Sequence, residues 1–252
     1  MKMHYDIKGK IALITGANRG IGKAIVEAFL HHGAAKIYAA VRDLDSAVPL
    51  VEHYGGKVVP VQLDLIRPET IMAAAETAKD VQVVVNNAGI FIASTPMDSD
   101  AIDSLELGMK INVLGLIRMA QAFAPILKIN GGGAFVQLNS IASLKCAVNF
   151  ATHSASKAAA YSITQALHEL LGRQGTAVLS VHPGLIATDM SAAAGLGGIA
   201  EPASLVGEGI VTALKAGDFH FFPDSMARRI GRAYQHFSES IIEADISEYR
   251  AD

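Results

Sequence analysis

Eight residues near the start of the chain constrain its fold more than any others: Thr15-Gly16-Ala17-Asn18-Arg19-Gly20-Ile21-Gly22. They join the apolar run Ile11–Ile14 to a helical pattern, Gly22–His32, that stops at Gly33. Three glycines between a strand and a helix permit a tight turn and let the backbone approach a bulky anion. The helix that follows aims free N–H groups and its positive dipole end at the same point. In this context the pattern predicts a cradle for the pyrophosphate of a dinucleotide, built by Gly16, Asn18, Arg19, Gly20, Ile21 and Gly22.

The rest of the chain continues the strand–helix alternation. Six further apolar runs follow: Ile37–Val41, Val58–Leu63, Val81–Val85, Ala134–Leu138, Ala177–Val181 and Phe219–Phe222. Most are continuous rather than alternating, as strands covered on both faces are. Helical patterns cover Glu69–Lys79, Leu105–Leu127, Ser154–Gly172 and Ala203–Ala216. Strand, helix and strand at this spacing mean parallel pairing with right-handed crossovers. The expected fold is α/β, a three-layer doubly wound (Rossmann) parallel sheet of about seven strands in one domain over 1–252. A glycine-rich stretch at 190–203, after a strand end, is expected to form a lid over a pocket. The segment 226–249 reads as a C-terminal helix with Ile230, Ala233, Tyr234, Phe237, Ile241 and Ile242 on one apolar stripe.

Composition excludes several classes. Hydrophobic residues make up 51% and charged residues 18% of the 252, far from a disordered chain. A formal net charge of −3 disfavours nucleic acid or an anionic membrane as partner. The single cysteine, Cys146, excludes an intramolecular disulfide and is expected in the core or a pocket wall. The histidines lack metal-ligand spacing, so no metal is expected. The apolar run after the charged residues Met1 to Lys10 is too short for a signal or membrane segment, and a cytoplasmic location is expected.

The end of the second strand chooses the cofactor. It reads Ala40-Val41-Arg42-Asp43. Val41 stands where a carboxylate would grip the ribose hydroxyls of NAD, and Arg42 with Arg19 offers two guanidinium groups to a 2′-phosphate. NADP(H) is favoured. Asp43 keeps NAD(H) open, because a one-residue slip would make it the ribose ligand.

These residues resemble the short-chain dehydrogenase/reductase family. Its TGxxxGxG turn matches Thr15 to Gly22, and its NNAG motif matches Asn86-Asn87-Ala88-Gly89. Its helix asparagine matches Asn112, its serine Ser140, and its PG motif with a following threonine Pro183, Gly184 and Thr188. The resemblance implies that Asp64 meets the adenine, that Leu65, Asn87, Ala88, Gly89, Pro183, Gly184 and Thr188 bind cofactor, and that Lys157 holds the nicotinamide ribose. It also implies a small carbonyl or alcohol substrate. The pocket expected for it is lined by Ile90, Phe91, Ile141, Leu144, Phe150, Leu185 and Ile186, which suits an apolar molecule. Helices of the Leu105–Leu127 and Ser154–Gly172 type pair across a two-fold axis in the family, implying a homodimer or homotetramer. Past residue 190 the chain departs from the family, ending in the helical segment rather than a glycine-rich strand.

The sharpest departure is catalytic. Where the family has Tyr-x-x-x-Lys, this chain reads His153-Ser154-Ala155-Ser156-Lys157. Ser140, thirteen residues before His153, and Lys157, one helical turn after it, keep the family spacing. The resemblance assigns Asn112 to a water relay, Ser140 to the carbonyl oxygen and His153 to the proton-donor position. Imidazole is the commonest general acid, but it is shorter than a phenol, and Lys157 disfavours its charged form. A displacement of about 1 Å costs about 10²-fold. Three readings stay open: a reductase using His153 directly or through water, an NADP(H)-binding protein with little turnover, and a substituted variant or altered chemistry. Tyr161, a turn beyond Lys157, faces away from the expected nicotinamide.

Overall fold

A computed structural model describes residues 2–193, 195 and 197–244. The elements run β1 (Ile11–Thr15), α1 (Gly20–His31), β2 (Lys36–Val41), α2 (Val48–Tyr54), β3 (Val58–Gln62), α3 (Pro68–Thr77), β4 (Val83–Asn86), α4 (Ala101–Gly108), α5 (Gly115–Ile129), β5 (Ala134–Leu138), α6 (Ala151–Gly172), β6 (Ala177–Val181), α7 (Asp189–Ala193), α8 (Ser204–Ala216), β7 (His220–Phe221) and α9 (Ser225–Phe237). All seven strands are parallel, in the order β3-β2-β1-β4-β5-β6-β7. The order reverses between β1 and β4, the switch point where doubly wound folds bind ligands.

Both faces of the sheet are covered, which explains the continuous apolar strands. Along β5, Ala134, Val136 and Leu138 join the core under α1 and α8, while Phe135 joins the core under α3, α5 and α6. On the first face α1 and α8 touch backbone to backbone: a side chain at Gly207 would stand 2.5 Å from the Ala24 carbonyl. On the second face α5 buries Leu116, Met119, Phe123 and Leu127 completely. The run Ala101–Ile129 has the length and apolar character of a membrane span, and its apolar stripe is the wall of this core.

Four expectations need correction. The pattern Leu105–Leu127 is not one regular helix. It starts at Ala101, ends at Ile129, and contains a π-helical turn at Met109–Leu114 centred on Asn112. Cys146 is exposed, because the chain from Lys145 to Asn149 loops over the surface. Ile186 is a core residue, 4% exposed and packed under α8, not a pocket wall. The C-terminal helix buries a different stripe: Ala227, Gly231 and Ser238 are buried and Ile230 and Tyr234 half-buried, while Ala233, Phe237 and Ile241 face solvent. Gly231 sets this register, since a side chain there would strike the Phe222 ring. Residues 245–249 of that segment lie outside the described residues. The described part of the 190–203 stretch, which leaves out 194 and 196, holds most of α7 and a short 3-10 turn at Gly197–Ile199, and Glu201 bridges back to Ile186 before α7. The helix α2 was not foreseen; Asp43 caps the turn leading into it and Pro49 occupies its first turn.

The Phe123→Ala variant should lose about 3–5 kcal/mol of stability through the cavity it leaves, measured by urea unfolding. A loss below about 1 kcal/mol would show that α5 does not anchor the second core.

Candidate active site

The first strand ends in Thr15, whose hydroxyl accepts from the backbone N–H groups of Asn87 and Ala88 at 2.9 Å. The Asn87 amide donates to the Thr15 carbonyl at 2.8 Å. These bonds tie the turn after β1 to the turn after β4. Gly16 has φ +64° and Gly20 φ +52°, values that L side chains avoid. A side chain on Gly22 would lie 2.0 Å from the Gly16 carbonyl. The N-terminus of α1 is capped by no side chain and carries no acidic residue in its first turn. A glycine cradle before an uncapped helix end fits a pyrophosphate. Asn18 and Ile21 are half-buried in the same turn, and Thr188 packs 3.1 Å from where a Gly20 side chain would begin. Arg19 is exposed and forms an ion pair with Asp189 at 3.1 Å.

At the ends of the next strands, Arg42 is exposed and pairs with no described acid. Asp43, also exposed, accepts from the Asp45 N–H at 3.2 Å through one carboxylate oxygen. Asp64 closes its own turn by accepting from the Ile66 N–H. Leu65 is buried against Gly115, so only its backbone can face a nucleotide. The PG turn is fixed from the C-terminal side: the Gly184 N–H donates to Asp224 at 2.6 Å, and the other oxygen of that buried carboxylate caps α9 at Ala227. Asp224 was missed in the sequence, although an Asp-Ser pair before a helical pattern is an N-cap signal.

The catalytic-type groups converge beside the β4 turn. The Asn112 side chain clasps the Ile90 backbone, accepting from its N–H at 3.0 Å and donating to its carbonyl at 3.1 Å. It also donates to Ser156 Oγ at 3.0 Å, and Ser156 donates to the His153 carbonyl at 2.8 Å. Lys157 Nζ is buried and donates to the Leu138 carbonyl at 2.9 Å. A Cβ built on Gly89 would meet both Asn112 Oδ1, at 3.0 Å, and Lys157 Nζ, at 3.6 Å. Ser140 follows β5 with its hydroxyl accepting from the Ala142 N–H at 3.1 Å. The helix α6 begins three residues earlier than expected, so His153 lies in its first turn. The imidazole packs against Phe91, which packs against Phe150, with 4.9 Å between successive ring centres. Ile90, Ile141, Leu144 and Leu185 are half-buried on the surrounding loops.

Electrostatics separate the two titratable groups. Burial pulls Lys157 down to about 8. Burial, and secondarily the Lys157 charge, pulls His153 down to about 4 against a weaker opposite pull from the Ile90 carbonyl. His153 Nδ1 is buried with no hydrogen-bond partner among the described residues. The imidazole is therefore neutral across the physiological range. Tyr161 is committed elsewhere: its hydroxyl lies 2.6 Å from His220 Nε2 and 3.2 Å from Tyr234.

Comparison with known proteins agrees with this geometry. Residues 10–196 match the family model for short chain dehydrogenases. An uncharacterized oxidoreductase of Staphylococcus aureus is 31% identical over 189 residues, 73% of this chain and 81% of that protein. The crystal structure of a short chain dehydrogenase from Burkholderia cenocepacia in complex with NADP is 31% identical, covers 98% of this chain and 100% of its own, and superposes with a TM-score of 0.82. A short chain dehydrogenase/reductase from Burkholderia phymatum in complex with NAD shares the fold at a TM-score of 0.81 and 22% identity, covering 93% of this chain and 96% of its own. A family match over most of the chain and a full-length structural match at 31% identity make the chain a member of the short-chain dehydrogenase/reductase family, and an oxidoreductase of that type.

Proposed function

We propose that the protein transfers a hydride between NADP(H) and the carbonyl or alcohol carbon of a small apolar substrate, with proton delivery as the slow step. When bound, the nicotinamide supplies or takes the hydride; binding, orientation and the proton fall to the protein. The convergence of Gly89, Asn112 and Lys157 beside the glycine cradle carries this reading. The backbone at Gly16 to Gly22 holds the pyrophosphate. Arg42, without an acidic partner among the described residues, pairs with the 2′-phosphate. The Burkholderia cenocepacia relative, described in complex with NADP, supports the same choice. Lys157 binds the ribose, Asn112 anchors a water relay, and the Ser140 hydroxyl donates to the carbonyl oxygen. Ile90, Phe91, Ile141, Leu144, Phe150 and Leu185 favour an apolar substrate. Exposed Ile102, Leu105, Leu114 and Leu170 on the long helices support assembly into a homodimer through those faces.

His153 sets the speed. A neutral, desolvated imidazole offers a hydrogen bond to the substrate oxygen but holds no ready proton. Its unpartnered Nδ1 favours a second reading, an NADP(H)-binding protein with little turnover. Carbonyl-dependent NADPH oxidation separates the two. The His153→Tyr variant should raise kcat by about 10²–10⁴-fold, the value of a matched general acid. Measurable parent activity, lost in His153→Ala, supports the oxidoreductase. No parent turnover on a broad carbonyl panel, with NADPH still bound, supports the second reading. Failure to bind either pyridine nucleotide in calorimetry would sink both.

The Arg42→Ala variant should weaken NADPH binding by about tenfold or more, one charged hydrogen-bonded contact, and leave NADH binding unchanged. Equal losses for the two nucleotides would remove Arg42 from the 2′-phosphate.

Acid stability gives a separate check. Between about pH 6.5 and 4 the unfolded chain binds a proton at His153 that the folded chain does not, so stability falls as pH falls. Between pH 7 and 4.5 this withdraws about 2–3 kcal/mol. His182, buried and held at about 3, adds a loss of the same sign. Urea unfolding of His153→Phe should show the acid loss reduced by about 2–3 kcal/mol; an unchanged pH slope would mean that His153 takes up its proton as readily in the folded chain as in the unfolded one.

A further inference from the structure

Behind Ser140 stands a buried histidine that the proposed chemistry does not use. His182, fully buried at the end of β6, places Nδ1 3.2 Å from the Ser140 carbonyl and 3.0 Å from Ser143 Oγ. Its Nε2 lies 2.7 Å from Ser180 Oγ. The Ser140 carbonyl only accepts, so Nδ1 carries the hydrogen. The hydroxyl of Ser143 donates to that same carbonyl, leaving Ser143 Oγ to share the imidazole N–H as acceptor. Nε2 then accepts from Ser180, whose oxygen accepts from the Asn139 amide at 2.9 Å. One tautomer satisfies every bond. The ring cannot turn away, because Tyr161 meets it edge-on at 4.8 Å and Phe222 stacks on it at 5.1 Å. Tyr161 is in turn bonded to His220, which Ser238 and Glu243 of the C-terminal segment hold on its far side.

We propose that His182 is a positioning residue: its Nδ1–H fixes the Ser140 carbonyl and so aims the Ser140 side chain at the substrate oxygen. The Ser140 backbone is extended; besides the imidazole, its carbonyl accepts, among the described residues, only from the Ser143 N–H, at 3.0 Å, and the Ser143 hydroxyl, while the Ile141 N–H donates to the Pro183 carbonyl at 3.0 Å and the Ser140 hydroxyl links the Ala142 N–H to that same carbonyl. Losing the imidazole N–H leaves the carbonyl with neighbours from its own turn alone, and a serine displaced by about 1 Å loses about 10²-fold in rate. The role rests on the reading of Ser140 as the carbonyl-binding hydroxyl.

Two isosteres divide the two ring nitrogens. Asn at 182 places an amide N–H near the Nδ1 position; Gln reaches the Nε2 position and leaves Nδ1 empty. Both are made in the parent and in the His153→Tyr background, beside Ser140→Ala. Readouts are kcat, NADPH affinity by fluorescence, melting temperature and amide hydrogen exchange over 141–145. His182→Asn should keep kcat within about threefold of its background. His182→Gln should lower kcat about 10²-fold with NADPH affinity within about twofold, and its 141–145 amides should exchange faster. Equal activity and equal exchange in the two isosteres would overturn the assignment, as would a loss that appears only in melting temperature or NADPH affinity. Should Ser140→Ala leave turnover unchanged, the functional reading of Ser140 fails. The exchange comparison of Asn with Gln then still decides whether His182 orders the loop.

Discussion

Every strand of the sheet points the same way, and the rest of the molecule depends on that. Parallel neighbours need a crossover between them, so each strand must hand the chain to a loop or helix at one common edge. Gly16, Arg42, Asp64, Asn87, Ser140 and Pro183 each lie one or two residues past the end of a different strand. Residues spread over nearly 170 positions therefore share one rim. The order reversal between β1 and β4 opens the crevice there, and the Thr15–Asn87 bonds stitch its two walls together. Rim loops can vary while the sheet keeps their roots in place.

Within that rim, burial decides the chemistry of the charged groups. Lys157 loses water on entering the fold and gains one carbonyl, so its ammonium is held less firmly than in solution. His153 sits one turn before it in an aromatic setting with Phe91 and Phe150, and gains less still. Two like charges one turn apart in a dry setting oppose each other, and the imidazole, with the lower intrinsic affinity for a proton, is the one that stays neutral. In the family pattern the group beside the lysine is a phenol, neutral when protonated: the ammonium lowers its pKa by favouring the phenolate, yet the phenol stays protonated at neutral pH and keeps a proton to give. The ammonium lowers the pKa of either group, but for imidazole, cationic when protonated, this empties the proton-carrying form at neutral pH.

The C-terminal segment takes on a structural task that the sequence pattern did not announce. Asp224 joins the PG turn to the start of α9. Through His220 and Tyr161 the same segment reaches the ring of His182 behind Ser140. Its apolar stripe was misread because hydrophobicity alone placed Phe237 and Ile241 inward. The observed register instead follows the glycine at 231, which lets Phe222 approach the helix backbone. Close approach of this kind leaves no periodic mark in a chain.

The sequence by itself determined the alternation of strands and main helices, the parallel sheet and the glycine turn, because each depends on local periodicity or on residue types at short fixed spacing; Asn112, Ser140 and Lys157 were picked out by resemblance to the family's motifs. It also showed the histidine where a tyrosine is expected. Only the tertiary structure decided that Ile186 belongs to the core, that Cys146 is exposed, that Asp43 caps the turn leading into α2, that a π turn carries Asn112 and that Asp224 and His182 stand behind the rim. Those outcomes come from contacts between residues far apart in the chain, where packing and desolvation set which atoms meet, and no local pattern encodes them.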